Sequence, residues 1–175
     1  MNNRLLEGPP GSGKTTLILK IAELLSNYQV GGFFTREIRE HGQRTGFRIE
    51  TFSGHSGILA HIKITAGPMV GKYRVDVKQF EHIAIGELET ALATSAVILI
   101  DEIGKMELFS ARFKKFLPRC FDSKTTLIAS VMSHSFPFVD HLKARSDVRL
   151  IKVSGENRQN LAVTLVSEIG DLNNI

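Results

Sequence analysis

Gly8-Pro9-Pro10-Gly11-Ser12-Gly13-Lys14-Thr15 decides how this chain reads. The octet follows the pattern of glycine, four free positions, then Gly-Lys-Thr. Gly8, Gly11 and Gly13 let the backbone turn tightly and bring its N–H groups close to phosphate oxygens. Lys14 supplies a point charge for β- and γ-phosphates, and the Thr15 hydroxyl is a ligand for Mg²⁺. A helix starting here aims its partially positive N-terminus at the same anion. A glycine-rich turn that binds nothing has no need of Lys-Thr at a helix start, so residues 8–15, with Thr16 next, read as a phosphate-binding loop.

The flanks supply the context that this mechanism demands. Arg4 to Glu7 reads as the strand feeding the loop, although it is less apolar than a central parallel strand usually is. Leu17, Ile18, Ile21, Leu24 and Leu25 recur at helical spacing, which predicts a helix over Lys14 to Asn27. Strands are predicted over Val30 to Arg39, Gly46 to Phe52, Ile58 to Ile64 and Gly71 to Val77, with a turn at Glu40 to Arg44. This β-rich portion, residues 30–77, reads as a small antiparallel insertion beside the main sheet. Helices follow over Phe80 to Thr94, over Glu107 to Phe121 with Pro118 bending or ending it early, over Phe138 to Ala144 and over Arg158 to Ile169. Strands are predicted at Val97 to Ile100, Thr125 to Val131 and Val148 to Val153. The alternation predicts an α/β fold, a mostly parallel sheet with helices on both faces, in a single domain over residues 1–175.

Val97 to Ile100 is continuously aliphatic, the mark of a strand buried on both faces, and it closes on Asp101-Glu102. A hydrophobic strand ending in an acid is the second signature of phosphate-loop enzymes, its aspartate holding Mg²⁺. Ligands of such sheets bind outside the carboxyl ends of the strands, where both segments fall. Successive strand residues point in opposite directions, so Asp101 and Glu102 do not face a metal equally. Glu102 is then free to orient or deprotonate a water that attacks the γ-phosphorus. Water activation favours hydrolysis over transfer to an acceptor, and a nucleotide or nucleoside kinase stays open as the rival reading. Phosphoryl transfer also calls for one further cation; Arg36, Lys72, Lys105 and Arg158 are candidates, and Lys105, next to the acidic pair, is the first choice.

Composition narrows the classes. Hydrophobic content of 42% and charged content of 23% over 175 residues suit one soluble domain with a buried core. No aliphatic run approaches a membrane span, and Met1 to Pro10 lacks a signal-peptide pattern, so no membrane partner is expected. A single cysteine, Cys120, forbids an internal disulfide and points to a reducing cytoplasm; its helical position reads as packing. The net charge of +4 suits a binder of small polyanions. Arg112, Lys114, Lys115 and Arg119 alternate with Phe113, Phe116 and Phe121, which reads first as a solvated helix face and second as a nucleic-acid patch. That patch keeps a third reading open, a nucleotide-dependent switch that binds RNA or protein. A monomer is expected, although nothing in the residues sets the oligomeric state. No His-Glu-x-x-His spacing exists, so zinc is not expected.

Six phrases then occur in order: Gly8 to Thr16, Gly32-Phe-Phe-Thr-Arg-Glu37, Val70-Gly-Lys-Tyr73, Val75-Asp-Val77, Ile100-Asp-Glu-Ile-Gly-Lys-Met-Glu-Leu-Phe109 and Glu156-Asn-Arg158. In these the chain resembles the small nucleoside-triphosphatases of the THEP type. The resemblance covers nearly the whole chain, and Asp101 to Leu108 is its most specific part. It implies a RecA-like domain that hydrolyses ATP, GTP and other nucleoside triphosphates to the diphosphate and phosphate, with Mg²⁺ and little base selectivity. Residues Gly8, Pro9, Pro10, Gly11, Ser12, Gly13, Lys14, Thr15 and Thr16 would bind phosphates. Ile100, Asp101, Glu102, Ile103, Gly104, Lys105 and Met106 would form the second nucleotide-contacting segment, with Asp101 on the metal side and Glu102 on the water. Two departures stand out: a first strand of Arg4-Leu5-Leu6-Glu7 in place of aliphatics, and Arg74 where small residues are usual.

Overall fold

The computed structural model describes residues 2–172. The phosphate-binding loop lies between strand β1 (Asn3–Glu7) and helix α1 (Lys14–Leu24), as its motif requires. The antiparallel portion follows as β2 (Val30–Glu40), β3 (Gln43–Thr51), β4 (Ser56–His61), β5 (Met69–Val70) and β6 (Tyr73–Val75). Helix α2 (Val77–Thr94) leads to β7 (Val97–Ile103), a 3₁₀ turn at Glu107–Phe109 and helix α3 (Ala111–Phe121). Then come β8 (Thr126–Val131), α4 (Pro137–Lys143), β9 (Val148–Lys152) and α5 (Arg158–Leu172). The strands form one nine-stranded sheet in the order β5-β6-β4-β3-β2-β7-β8-β1-β9. Pairing among β2, β7, β8, β1 and β9 is parallel, and from β2 outward through β3, β4, β6 and β5 it is antiparallel. Strand β2 belongs to both parts. Its first residues, Val30 to Phe33, pair with Val97 to Ile100, and its remainder pairs with β3.

Apolar residues cover both faces of the sheet, which is what brings the strand ends together at one edge. On one face α2, α3 and α4 pack over Leu5, Ile98, Ile100, Leu127 and Ala129. Phe33, Phe80 and Phe113 meet edge to face there, with ring centroids 5.1 to 6.0 Å apart. Each such contact contributes roughly 0.5–1.5 kcal/mol beyond its buried area. On the other face Leu17, Ile18 and Ile21 of α1 and Ala162, Leu165 and Ile169 of α5 cover Leu6, Leu99 and Ile128. Cys120 is buried in the first of these layers, and burial pushes its thiol up to about 12, as a packing residue should be. Among the described residues no helix is long and apolar enough to cross a membrane.

Four local features depart from a plain reading of the sequence. The polar first strand is buried, with most of its polar groups partnered, although Asn3 Oδ1 and Arg4 Nη1 are not. Arg4 donates to Glu168 of α5 at 3.1 and 3.2 Å, and Asn3 donates to the Phe121 carbonyl at 2.9 Å. The strand read through Val77 stops at Val75, since Asp76 caps α2 by accepting from the Gln79 N–H. The helix read from Glu107 begins only at Ala111, because the Ser110 hydroxyl accepts from the Phe113 N–H at 2.9 Å and leaves residues 107–109 as a separate turn. Pro118 does not end α3 early, and the helix runs on to Phe121. Five buried side chains along that face, Phe113, Phe116, Leu117, Cys120 and Phe121, outweigh the ~3 kcal/mol cost of an internal proline.

Gly32 marks where β2 joins the parallel core. Its φ is +107°, and a Cβ there would fall onto the Leu99 carbonyl of β7. Gly32→Ala is therefore expected to lose roughly 2–3 kcal/mol, from left-handed strain and overpacking together. Thermal denaturation should show this as a fall of roughly 5–10 °C in Tm. A Tm within a degree of wild type would mean that β2 does not approach β7 as described.

Candidate active site

The loop is shaped before any ligand arrives. Gly11 and Gly13 have φ of +79° and +93°, and Gly13 is the residue that starts α1. The Ser12 N–H donates to the Pro9 carbonyl at 3.1 Å, closing the turn. Gly8 lies deeper, where a Cβ would meet Ser12 Oγ at 2.5 Å and the Val153 carbonyl at 2.7 Å. The Lys14 ammonium is folded back onto the loop's own carbonyls, 2.8 Å from Gly8 O and 3.4 Å from Pro9 O. It is buried, at 8% exposure, so its charge is held in a shielded place rather than in bulk water.

Residues from both predicted halves meet in one cleft of about 690 Å³. Pro10, Gly11, Gly13, Lys14, Thr15 and Thr16 line one wall, and Glu102 faces them. Asp101 lies beneath, 1% exposed, beside the Thr15 hydroxyl. The Ser130 hydroxyl of β8 donates to Asp101 Oδ1 at 2.5 Å, while Oδ2 is buried with no hydrogen-bond partner. A buried oxygen without a partner costs free energy unless something satisfies it. Strand pairing shifts register between Ile100 and Ile103, so the acidic pair departs from simple alternation. Both carboxylates consequently feel the Lys14 charge.

Burial dominates the acidity of this cluster. It raises the Asp101 carboxyl, against hydrogen bonds from Ser130 and Thr15 and the charge of Lys14. It raises Glu102 as well, with Lys14 opposing and Asp101 adding to the rise. Glu107, fully enclosed behind them, is pushed up to about 8 by burial. Its Oε2 accepts from the Gly104 N–H at 3.1 Å and so ties the turn after β7. Since Glu107 stays protonated in the fold while the unfolded chain ionises near 4.5, its contribution to stability falls as pH rises from about 4.5 to 8. Glu107→Gln keeps the acceptor and removes the titration. The variant should match wild type in Tm at pH 4 and exceed it by a growing margin up to pH 8.5. A margin independent of pH would show that Glu107 is ionised in the fold.

Other predicted residues are distributed unevenly. Ile100 and Ile103 are wholly buried, and Met106 packs against the core. Lys105 does not line the cleft. The chain turns away after Gly104 into the 3₁₀ turn, and Lys105 borders a separate pocket of about 300 Å³ with Val70, Phe109 and Phe136. Lys72 stacks 5.6 Å from the Tyr73 ring and also stays outside the cleft. Arg36 and Arg158 do line it. The Arg158 side chain lies directly against Gly13, where a Cβ would meet Nη1 at 2.7 Å. The sequence reading gave no role to Ser130, Arg44 or Phe47, and carried Thr35, Glu37 and Glu107 only within the phrases of the family resemblance. Ser130 donates to Asp101, Glu107 ties the turn after β7, and Thr35, Glu37, Arg44 and Phe47 reach the cleft through the pairing of β2 with β3. Arg112 and Arg119 lie on the exposed side of α3, one 3.6 Å from Glu81 and the other over the Phe116 ring.

Comparison with known proteins bears directly on this cleft. Residues 3–166 match a family model described as NTPase. The chain is 44% identical over 163 residues to nucleoside-triphosphatase THEP1 of Thermotoga sp. (strain RQ2), covering 93% of this chain and 92% of that protein. It is 38% identical over 177 residues to the cancer-related nucleoside-triphosphatase of Homo sapiens, covering 93% of each. The crystal structure of THEP1 from the hyperthermophile Aquifex aeolicus has the same fold, with a TM-score of 0.86 at 36% identity, covering 95% of this chain and 98% of that one.

Proposed function

The chain belongs to the NTPase family, and from that premise we propose how its cleft carries out hydrolysis of nucleoside triphosphates. The observation that carries the reading is the convergence of Lys14, Thr15 and Glu102 on one cleft, with Asp101 Oδ2 unpartnered beneath them. The loop amides and Lys14 take the phosphates, the ammonium exchanging the Gly8 and Pro9 carbonyls for phosphate oxygens. Thr15 and Asp101 fit Mg²⁺: a hydroxyl and a buried carboxylate with a free oxygen are the hard donors it takes. When bound there, the ion neutralises charge on the phosphate oxygens. Glu102 accepts the proton of a water placed in line with the γ-phosphorus, and its burial-raised pKa makes it a better base than an exposed carboxylate. Arg158, against Gly13, is the cation that lines the cleft where Lys105 does not. Products are the nucleoside diphosphate and inorganic phosphate.

Loop polarity sends the nucleoside past Thr16 into the groove of about 390 Å³ formed with Leu17, Lys20, Arg158 and Gln159. Two long cationic stems and one amide offer no fixed pattern for a base edge, which supports ATP, GTP and other triphosphates as substrates alike. The lone, buried Cys120 suits a reducing cytoplasm. The experiment is phosphate release from ATP, GTP, CTP and UTP with Mg²⁺ or with excess EDTA, and with no acceptor added. Release from all four at comparable kcat/KM, abolished by EDTA, is expected. Release that needs an added acceptor would favour the kinase reading, and release unaffected by EDTA would remove the metal.

A further inference from the structure

The cleft continues beyond the phosphate chain. If the nucleotide runs as proposed above, its terminal phosphorus lies at Glu102 and its nucleoside leaves in the opposite direction, past Thr16. The rest of the cleft's lining, beside the loop, Glu102 and Arg158, comes from the β2–β3 hairpin. Thr35, Arg36 and Glu37 come from β2, and Arg44 and Phe47 from β3. No part of a single bound triphosphate accounts for this end.

Its charged groups are paired at the protein surface. Arg44 Nε donates to the Tyr73 hydroxyl at 3.0 Å and Nη1 to Glu37 at 2.7 Å, and its guanidinium lies 5.2 Å from the Phe47 ring. Arg36 Nε donates to Glu50 at 3.3 Å, and the group lies 5.1 Å from the Phe34 ring. Among the described residues Nη2 of Arg44 and both terminal nitrogens of Arg36 have no protein partner, so they are available as donors. Guanidinium N–H groups suit phosphate oxygens. Glu37 and Glu50 offset the net charge, however, so a bare anion would gain little. A ligand with an anionic end and a planar ring carrying its own donors fits better. The guanidinium groups take its phosphate, Glu37 accepts from the ring or sugar, and the part of Phe47 that lines the cleft adds aromatic contact.

We infer that the hairpin end of the cleft is a second ligand site for a nucleoside monophosphate, bound beside the terminal phosphate of the triphosphate. A ligand seated there shares the cleft with Glu102 and restricts the water that reaches it. It therefore slows hydrolysis without displacing the triphosphate.

The test is steady-state hydrolysis by the full chain against AMP, GMP, CMP and UMP in turn, with inorganic phosphate as control. At least one monophosphate should lower kcat by ~5-fold or more at saturation while KM for the triphosphate changes less than ~2-fold. Calorimetry should show that monophosphate binding one-to-one to protein already saturated with a non-hydrolysable triphosphate analogue. Arg44→Gln and Phe47→Leu should each keep basal kcat and KM and weaken the monophosphate by ~10-fold or more, as expected for a lost charged hydrogen bond or stacking face. A raised KM at constant kcat would place the monophosphate in the phosphate loop and overturn the site. So would an equal effect of inorganic phosphate, no effect at millimolar concentration, or inhibition untouched by both variants. Failure of the triphosphatase reading itself would appear separately, as no phosphate release in the absence of any monophosphate.

Discussion

Glu102→Gln is expected to bind nucleoside triphosphate as wild type does and to hydrolyse it at least ~100-fold more slowly, the range for loss of a general base. The carboxamide has nearly the size of the carboxylate, so the wall of the cleft facing Lys14 keeps its shape. What changes is the ability to take a proton. Burial already holds Glu102 above its ordinary value, with Lys14 pulling it down and Asp101 pushing it up. Removing its negative charge beside the terminal phosphate should leave affinity unchanged or improve it. Single-turnover phosphate release and calorimetry with a non-hydrolysable analogue separate the two quantities. Hydrolysis at the original rate would take Glu102 out of the mechanism. A large loss of affinity would make it a binding residue instead.

Lys14→Ala is expected to cost on the order of 10³-fold in kcat/KM, the scale for removing a preorganised charge aimed at transferring oxygens. Two carbonyls, Gly8 O and Pro9 O, now face the ammonium at 2.8 and 3.4 Å. Without it they face the phosphates with no countercharge between them, so triphosphate binding should weaken along with turnover. Lys14→Arg should recover little, because a planar fork does not fit where a compact ammonium on a flexible stem is enclosed at 8% exposure. Unchanged affinity of Lys14→Ala for a triphosphate analogue would mean that residues 8–15 are not the phosphate seat.

Both variants concern segments that were plain in the sequence, and for the same reason. Gly8 to Thr15 and Val97 to Glu102 are local patterns, each interpretable from its own residues, and the sheet brings their ends to one edge. The parallel core and the helices on both faces were legible in the same way, from alternating periodicities. What stayed hidden depends on contacts between distant segments. Arg4 looked misplaced in a central strand because Glu168 stands 164 positions away. Lys105 looked well placed because adjacency in sequence suggests adjacency in space; the Ser110 cap, which splits the following helix, and the turn at Glu107 carry it into another pocket. Arg44 and Phe47 carried no signal, since only the register that sets Glu37 against Phe47 brings β3 to the cleft. Glu107 read as one more charge at a helix start. Its enclosure at the end of β7 is a property of packing, and so is its raised pKa.

The central claim is that one cleft holds the triphosphate between the Gly8–Thr15 loop and the acidic pair, with its terminal phosphorus at Glu102. A crystal structure with a non-hydrolysable triphosphate analogue and Mg²⁺ tests it most directly. A terminal phosphate oxygen is expected at hydrogen-bond distance, roughly 3 Å, from Lys14 Nζ. A water should lie between the terminal phosphorus and the Glu102 carboxylate, with the base over Thr16, Lys20 and Arg158. A triphosphate whose terminal phosphorus points away from Glu102, or a nucleotide seated outside this cleft, would contradict it.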